Sequence, residues 1–342
     1  MTFKTSLIAS LITASMLALP APAAAVDLDM RMPGNRFMEF RLPVADGSSS
    51  HIASGPDRHL WVTQQTPPQL VRVSVIGETT RLPLPKGSQP QGLTTNREGH
   101  LYVALAAHHS IARIHPKTGK LEKEYPLTSP EHSQIGPTQI VPGRDAHTLW
   151  FAAPKGNLIG KLDTESGEVT HFPLPQADSQ PEHLAVDSAG NVWFTESAGQ
   201  RVGFLNPDGF IFEFDLPENT RQPGAIVADP REPKAWFALG SGGALASIEA
   251  KGTLTLHPLP TPNARVSALA FDPQGLLWLG YGSPDKIAFA RIKDTLKITE
   301  YPLPAFRARL SGLTLGPEGN LWFVEGGIDK VGYVIGTADY GR

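Results

Sequence analysis

The chain has 342 residues, a formal charge of −3, 33 glycines, 32 prolines and no cysteine. The missing thiols exclude disulfide, zinc-thiolate and thiol-nucleophile chemistry, and a slightly acidic chain with no basic run excludes a nucleic-acid partner. So much Gly and Pro predicts many turns and few long helices.

In chain order, MTFKTSLIASLITASMLALPAPAAA comes first: one cation at Lys4, an apolar stretch to Leu19, then Ala21, Ala23 and Ala25. That order predicts a signal peptide over residues 1–25, leaving one exported domain over 26–342, periplasmic or released. No later segment reaches membrane-spanning length, so the expectation is a monomer with no membrane span.

The remainder repeats. All six tryptophans (Trp61, Trp150, Trp193, Trp236, Trp278 and Trp322) occupy one position of a unit, and Tyr102 fills the single gap, giving spacings of 41, 48, 43, 43, 42 and 44 residues. A period in this range means a stacked or circular array. Between Pro181 and Pro217, "HLAV", "NVWFTE", "RVGFLN" and "FIFEFDLP" read as four short strands separated by turns, one propeller blade. Seven fourth strands can be aligned, from "MEFRLP" (38–43) to "ITEYPLP" (298–304). The first precedes every Trp unit and the last unit lacks its own. The predicted fold is therefore all-β, a seven-bladed propeller of four-stranded antiparallel blades, with residues 38–43 paired to the strand near 331–335.

The aromatic runs end in Gln64, Leu105, Ala153, Glu196, Leu239, Tyr281 and Glu325. Pairing the first two strands about a centre near Ala189 sets Glu182 opposite Glu196, with Cβ atoms roughly 4.5–5.5 Å apart. The same register opposes Ser311 to Glu325, Ser50 to Gln64, Gln91 to Leu105 and Ser267 to Tyr281, all toward one mouth of the channel. Gln64, Gln91, Ser267, Tyr281 and Ser311 are thus candidate ligand-binding residues. Facing carboxylates repel unless one is protonated or a cation lies between them, which makes Glu182 and Glu196 candidate metal ligands. The other reading of Glu196 and Glu325 is a polar strand end. The tryptophans read as inter-blade core.

"GNVWFTESAGQRVGFLNPDGFIFEFDLP", "GNLWFVEGGIDKVGYVIG" and the "TEYPLP"-type strand resemble the virginiamycin B lyase (streptogramin B lyase) family over essentially all of the chain after residue 25. The resemblance implies a seven-bladed propeller that linearises cyclic streptogramin B depsipeptides by elimination at the ester, aided by Mg²⁺. It also implies a metal-linked Glu at Glu325 and catalytic histidines at two positions that here hold Ser311 and Ser267. Serine is no general base near neutral pH. His51 and His183, one step away, are the candidate replacements, with packing between blades as their alternative role. The reading is an exported propeller that binds a small or peptidic ligand. As an enzyme it would be a C–O lyase on a cyclic ester, with His51 or His183 as base and Glu325 and Glu196 holding Mg²⁺ or Ca²⁺. The alternative is a non-catalytic ligand- or protein-binding propeller.

Overall fold

The computed structural model describes residues 36–335, apart from 221, 241–242 and 293–295. The expected signal peptide lies outside them. Seven four-stranded antiparallel sheets form the ring. In order they are blades 1 (49–83), 2 (90–126), 3 (140–173), 4 (181–215), 5 (223–258), 6 (265–302) and 7 (310–334 with 37–41). Among the described residues, helix is limited to three single 3₁₀ turns.

Closure follows the displaced strand. Phe37–Arg41 pairs antiparallel with Lys330–Val334, Phe37 facing Val334 and Arg41 facing Lys330. Side chains reinforce it: Lys330 Nζ lies 2.6 Å from Glu39 Oε2, and Phe40 stacks on Trp322. Blade 7 is also tied forward to blade 1 through Asp329. Its Oδ1 accepts the Ser49 hydroxyl at 2.6 Å and its Oδ2 accepts the Gly47 N–H at 2.9 Å. Such buried charge-assisted bonds are the stronger kind.

Each repeat aromatic sits in an apolar cluster shared with the following blade. Trp61 packs with Leu93 and Val103, Trp193 with Ile226 and Phe237, and Trp322 with Ile52 and Val62. An amphipathic sheet buries its face only against another sheet, so seven such clusters hold the ring. The indole N–H is satisfied locally. In blade 4, Asp187 accepts the Ala189 and Asn191 amides through Oδ1 and the Trp193 indole through Oδ2 at 2.9 Å. Asp57, Asp229 and Asp272 accept the indoles of Trp61, Trp236 and Trp278 in the same way.

Candidate functional site

The first strand of every blade lines the central channel. A cavity of about 120 Å³ at the axis is bordered by His51, Gly92, His183, Ala225, Ser267 and Ser311 from six blades and by Gln139, directly before the first strand of blade 3. His183, Ala225 and Ser267 also border a larger hollow of about 610 Å³ at one mouth, walled by blades 4 to 7, with Gln180, Glu182, Gln222, Arg265 and Arg309. The axial space and the mouth are therefore continuous.

The expected cross-strand pairs need correction. The register assigned from the sequence holds for His183–Thr195 through Val186–Val192, but a bulge at Glu182 then sets Pro181, not Glu182, opposite Glu196. The same slip pairs Ser49 with Gln64, Pro90 with Leu105, Val266 with Tyr281 and Leu310 with Glu325. A bulge places two residues against one and re-aims their side chains. Glu182 and His183 consequently both border the mouth, while Glu196 turns into its blade.

Four of the expected mouth residues lie inside their blades. Gln64 is fully buried, donating to Ser49 Oγ and Val44 O and accepting from Gln69 at 2.6 Å. Tyr281 is fully buried and donates to Glu300 Oε1 at 2.9 Å; Lys286 pairs with the other oxygen of Glu300. Glu196 and Glu325 have no exposed surface and no hydrogen bond to either carboxylate oxygen. Gln91 is half-buried and borders neither cavity.

Burial, assisted by Glu213, pushes the Glu196 carboxyl up to about 7, with Arg201 opposing. Burial and then Glu39 push Glu325 up to about 7, against Lys330. A raised carboxylate keeps its proton in the folded chain after the unfolded chain has lost it, so stability is lost as pH rises from about 4.5 through about 7. Glu196→Gln and Glu325→Gln, which mimic the protonated state, are expected to raise the melting temperature at pH 8 and change it little at pH 5. Above the folded pKa, each tenfold difference in proton affinity between the folded and unfolded chains is worth about 1.4 kcal/mol. Equal effects at both pH values would sink this account of the glutamates.

The channel histidines shift the other way. Burial lowers both His51 and His183 to about 4, and the charge of His183 adds to the effect on His51. Both are neutral at pH 7. His51 Nδ1 lies 3.0 Å from Ser50 Oγ, which in turn meets Thr63 Oγ1 at 3.0 Å. The serines are engaged as well. Ser267 Oγ donates to the Leu310 carbonyl of the next blade, and Ser311 Oγ donates to the Ser49 carbonyl at 3.3 Å.

Neither magnesium, implied by the resemblance, nor calcium fits this donor set. Among the described residues no three His, Asp or Glu side chains converge. Glu196 and Glu325 belong to different sheets, and Glu182 is the single carboxylate on the hollow's wall.

The sequence reading missed the rim. Gln89, Gln180 and Gln222, each directly before a strand-opening proline, have left-handed φ values of 50°, 53° and 64°. Arg307 and Arg309 occupy the equivalent connection into blade 7 at 60° and 46°. The recurring Gln-Pro dipeptide was the available signal.

A closed seven-bladed propeller, with a polar hollow over blades 4 to 7 leading into a narrow axial space, is the class this molecule represents. The model of the virginiamycin B lyase family matches residues 86–340, and the chain belongs to that family. Virginiamycin B lyase of Nocardia farcinica (strain IFM 10152) is 26% identical over 220 residues, covering 54% of this chain and 75% of the relative. The selenomethionine-substituted virginiamycin B lyase of Staphylococcus aureus superposes with a TM-score of 0.77 at 28% identity, over 87% of this chain and 98% of that one. A catalytically inactive His-to-Ala variant of the S. aureus lyase, solved with quinupristin, gives 0.75 at 28% identity over the same 87% and 98%. Among the described residues no helix is long and apolar enough to cross a membrane.

Proposed function

We propose that this protein is an exported ligand-binding propeller that takes a small or peptidic cyclic ester, a depsipeptide or lactone, in the hollow over blades 4 to 7. We propose further that it runs the family's elimination slowly. The observation that carries the reading is the polar wall of that hollow, where Glu182, His183, Arg265 and Arg309 meet above the axis. Ligand sites are concave, with a few convergent polar groups. Support for slow chemistry comes from Ser267 and Ser311, whose hydroxyls are spent on backbone carbonyls. A histidine lowered to about 4 is unprotonated at pH 7 but a weak base.

A second reading, rapid C–O elimination by this same site, is favoured by His183 standing beside Glu182 in one hollow. His183 would take the proton from the carbon next to the C–O carbon. The C–O bond would break, a double bond would form, and the ester would leave as a carboxylate. The test is calorimetric titration with a streptogramin B in magnesium-containing buffer, followed by mass spectrometry of the ligand. Saturable one-to-one binding with the ring intact over hours is the expected result. No binding at the highest soluble ligand concentration would reject the binding reading, and rapid linear product would replace it with the second.

A further inference from the structure

Beside the hollow, and continuous with it through Arg265, Gly282, Ser283 and Arg309, lies a second hollow of about 560 Å³. Its wall carries three guanidinium groups, Arg265, Arg307 and Arg309, and one carboxylate, Asp285. All three arginines are exposed, and among the described residues none forms an ion pair. Asp285 is already engaged by backbone, its oxygens accepting the Arg307 N–H at 2.7 Å and the Arg309 N–H at 3.3 Å. A chain of net charge −3 thus presents a concave surface with three cations against one anion. A concave wall of one sign focuses the field on whatever enters.

The connection itself does not demand arginine. Its left-handed positions suit Asn, Asp or Gly, and other blades fill them with Asp46 and Ser48 or with Asp178 and Gln180. Arg307 and Arg309 hold an uncommon backbone conformation and both line the second hollow, Arg309 the mouth as well. Phe306, directly before them, is 90% exposed, so an unburied aromatic ring adjoins the cationic wall.

We infer that the blade 6–7 rim is an anion subsite, in which Arg265, Arg307 and Arg309 hold a carboxylate of the ligand and Phe306 contacts its neighbouring apolar group. The inference rests on the reading of the mouth as a ligand site and specifies its occupant: an acid rather than a neutral ester alone. Guanidinium groups match a carboxylate through two parallel N–H···O bonds, which an ammonium cannot supply. Phosphate would satisfy the same donors, so the test separates the two anions.

The experiment is titration of the full chain with N-acetyl-phenylalanine, with its neutral amide, and with inorganic phosphate as competitor. The acid should bind at least about 10-fold more tightly than the amide, and Arg309→Gln or Arg265→Gln should each remove about 10-fold for the acid alone, roughly 1.4 kcal/mol. Phe306→Ala should weaken acid and amide alike. Added salt should weaken the acid. Both arginines are exposed, and unchanged circular dichroism would confirm that the variants fold. Competition by phosphate would support the subsite and make it one for oxyanions generally; its absence would support a carboxylate. Acid and amide binding alike, an acid that fails to bind, or an acid indifferent to both arginine variants would overturn the inference. A cyclic streptogramin B that still binds in that case leaves the mouth reading standing. Acid binding with no depsipeptide binding would do the reverse.

Discussion

A chain that starts at Val44, without the strand Phe37–Arg41, is expected to aggregate and to lose its single cooperative melt. The strand Lys330–Val334 would become an open edge, with a row of unpaired N–H and C=O groups that template association. Packing is lost with it. Phe37 lies edge-on to Phe323 with ring centres 6.1 Å apart, Phe40 stacks on Trp322, and Leu42 is buried in the cluster joining blades 7 and 1. Removing a buried aromatic from a core typically costs about 3–5 kcal/mol, and two partly buried ones leave together here. Lys330 would also lose Glu39 at 2.6 Å, and with it part of the charge balance around Glu325. A peptide of residues 36–43 added during refolding is expected to restore soluble protein. A truncated chain that is monomeric by light scattering and melts like the parent would show that the ring does not depend on this strand.

The second large effect concerns the elimination reaction. On the resemblance that sets Ser267 and Ser311 at the family's histidine positions, the general-base contribution, roughly 10²–10⁴ in rate, should be missing. Ser311→His together with Ser267→His is expected to recover a substantial part of it. Both positions border the 120 Å³ axial cavity, so new imidazoles would face the channel rather than the blade core. The gain should be smaller than in a native family enzyme, because Ser267 gives up its bond to the Leu310 carbonyl. Linear product measured by mass spectrometry decides it. A fast unmodified protein, or a double variant no faster than the parent, would contradict the assignment of these two positions.

The ring was legible because its signals are periodic: six tryptophans at near-constant spacing and one fourth strand displaced to the N-terminus. The mouth was less legible. Strand alternation gave the register correctly up to Glu182, but the bulge there arises where the inter-blade connection meets the first strand, through left-handed residues such as Asp178 and Gln180. Two-residue periodicity carries no trace of that. The burial of Glu196 and Glu325 did have a signal, five residues downstream. Glu196 pairs with Arg201, Glu325 with Lys330 and Gln64 with Gln69, whereas Leu239 pairs with Ala244 and Ala153 with Leu158. In these five blades polar end matches polar start and apolar matches apolar, the mark of a pair internal to one blade; Leu105 facing Ser110 in blade 2 is the exception. The rim arginines escaped notice because nothing in a repeat distinguishes a charge aimed into a hollow from one aimed at water.

The question of whether the glutamate after the aromatic pair or the channel wall forms the site comes down to one parallel titration. His183→Ala and Glu325→Gln are each titrated with the same streptogramin B and compared with the unmodified protein. Loss of about 10-fold or more in affinity for His183→Ala, with Glu325→Gln unchanged, is the predicted result, since His183 borders both the mouth and the axial cavity while Glu325 is fully buried in its blade. Loss of binding in Glu325→Gln with His183→Ala unaffected would place the site on the glutamate and contradict the account.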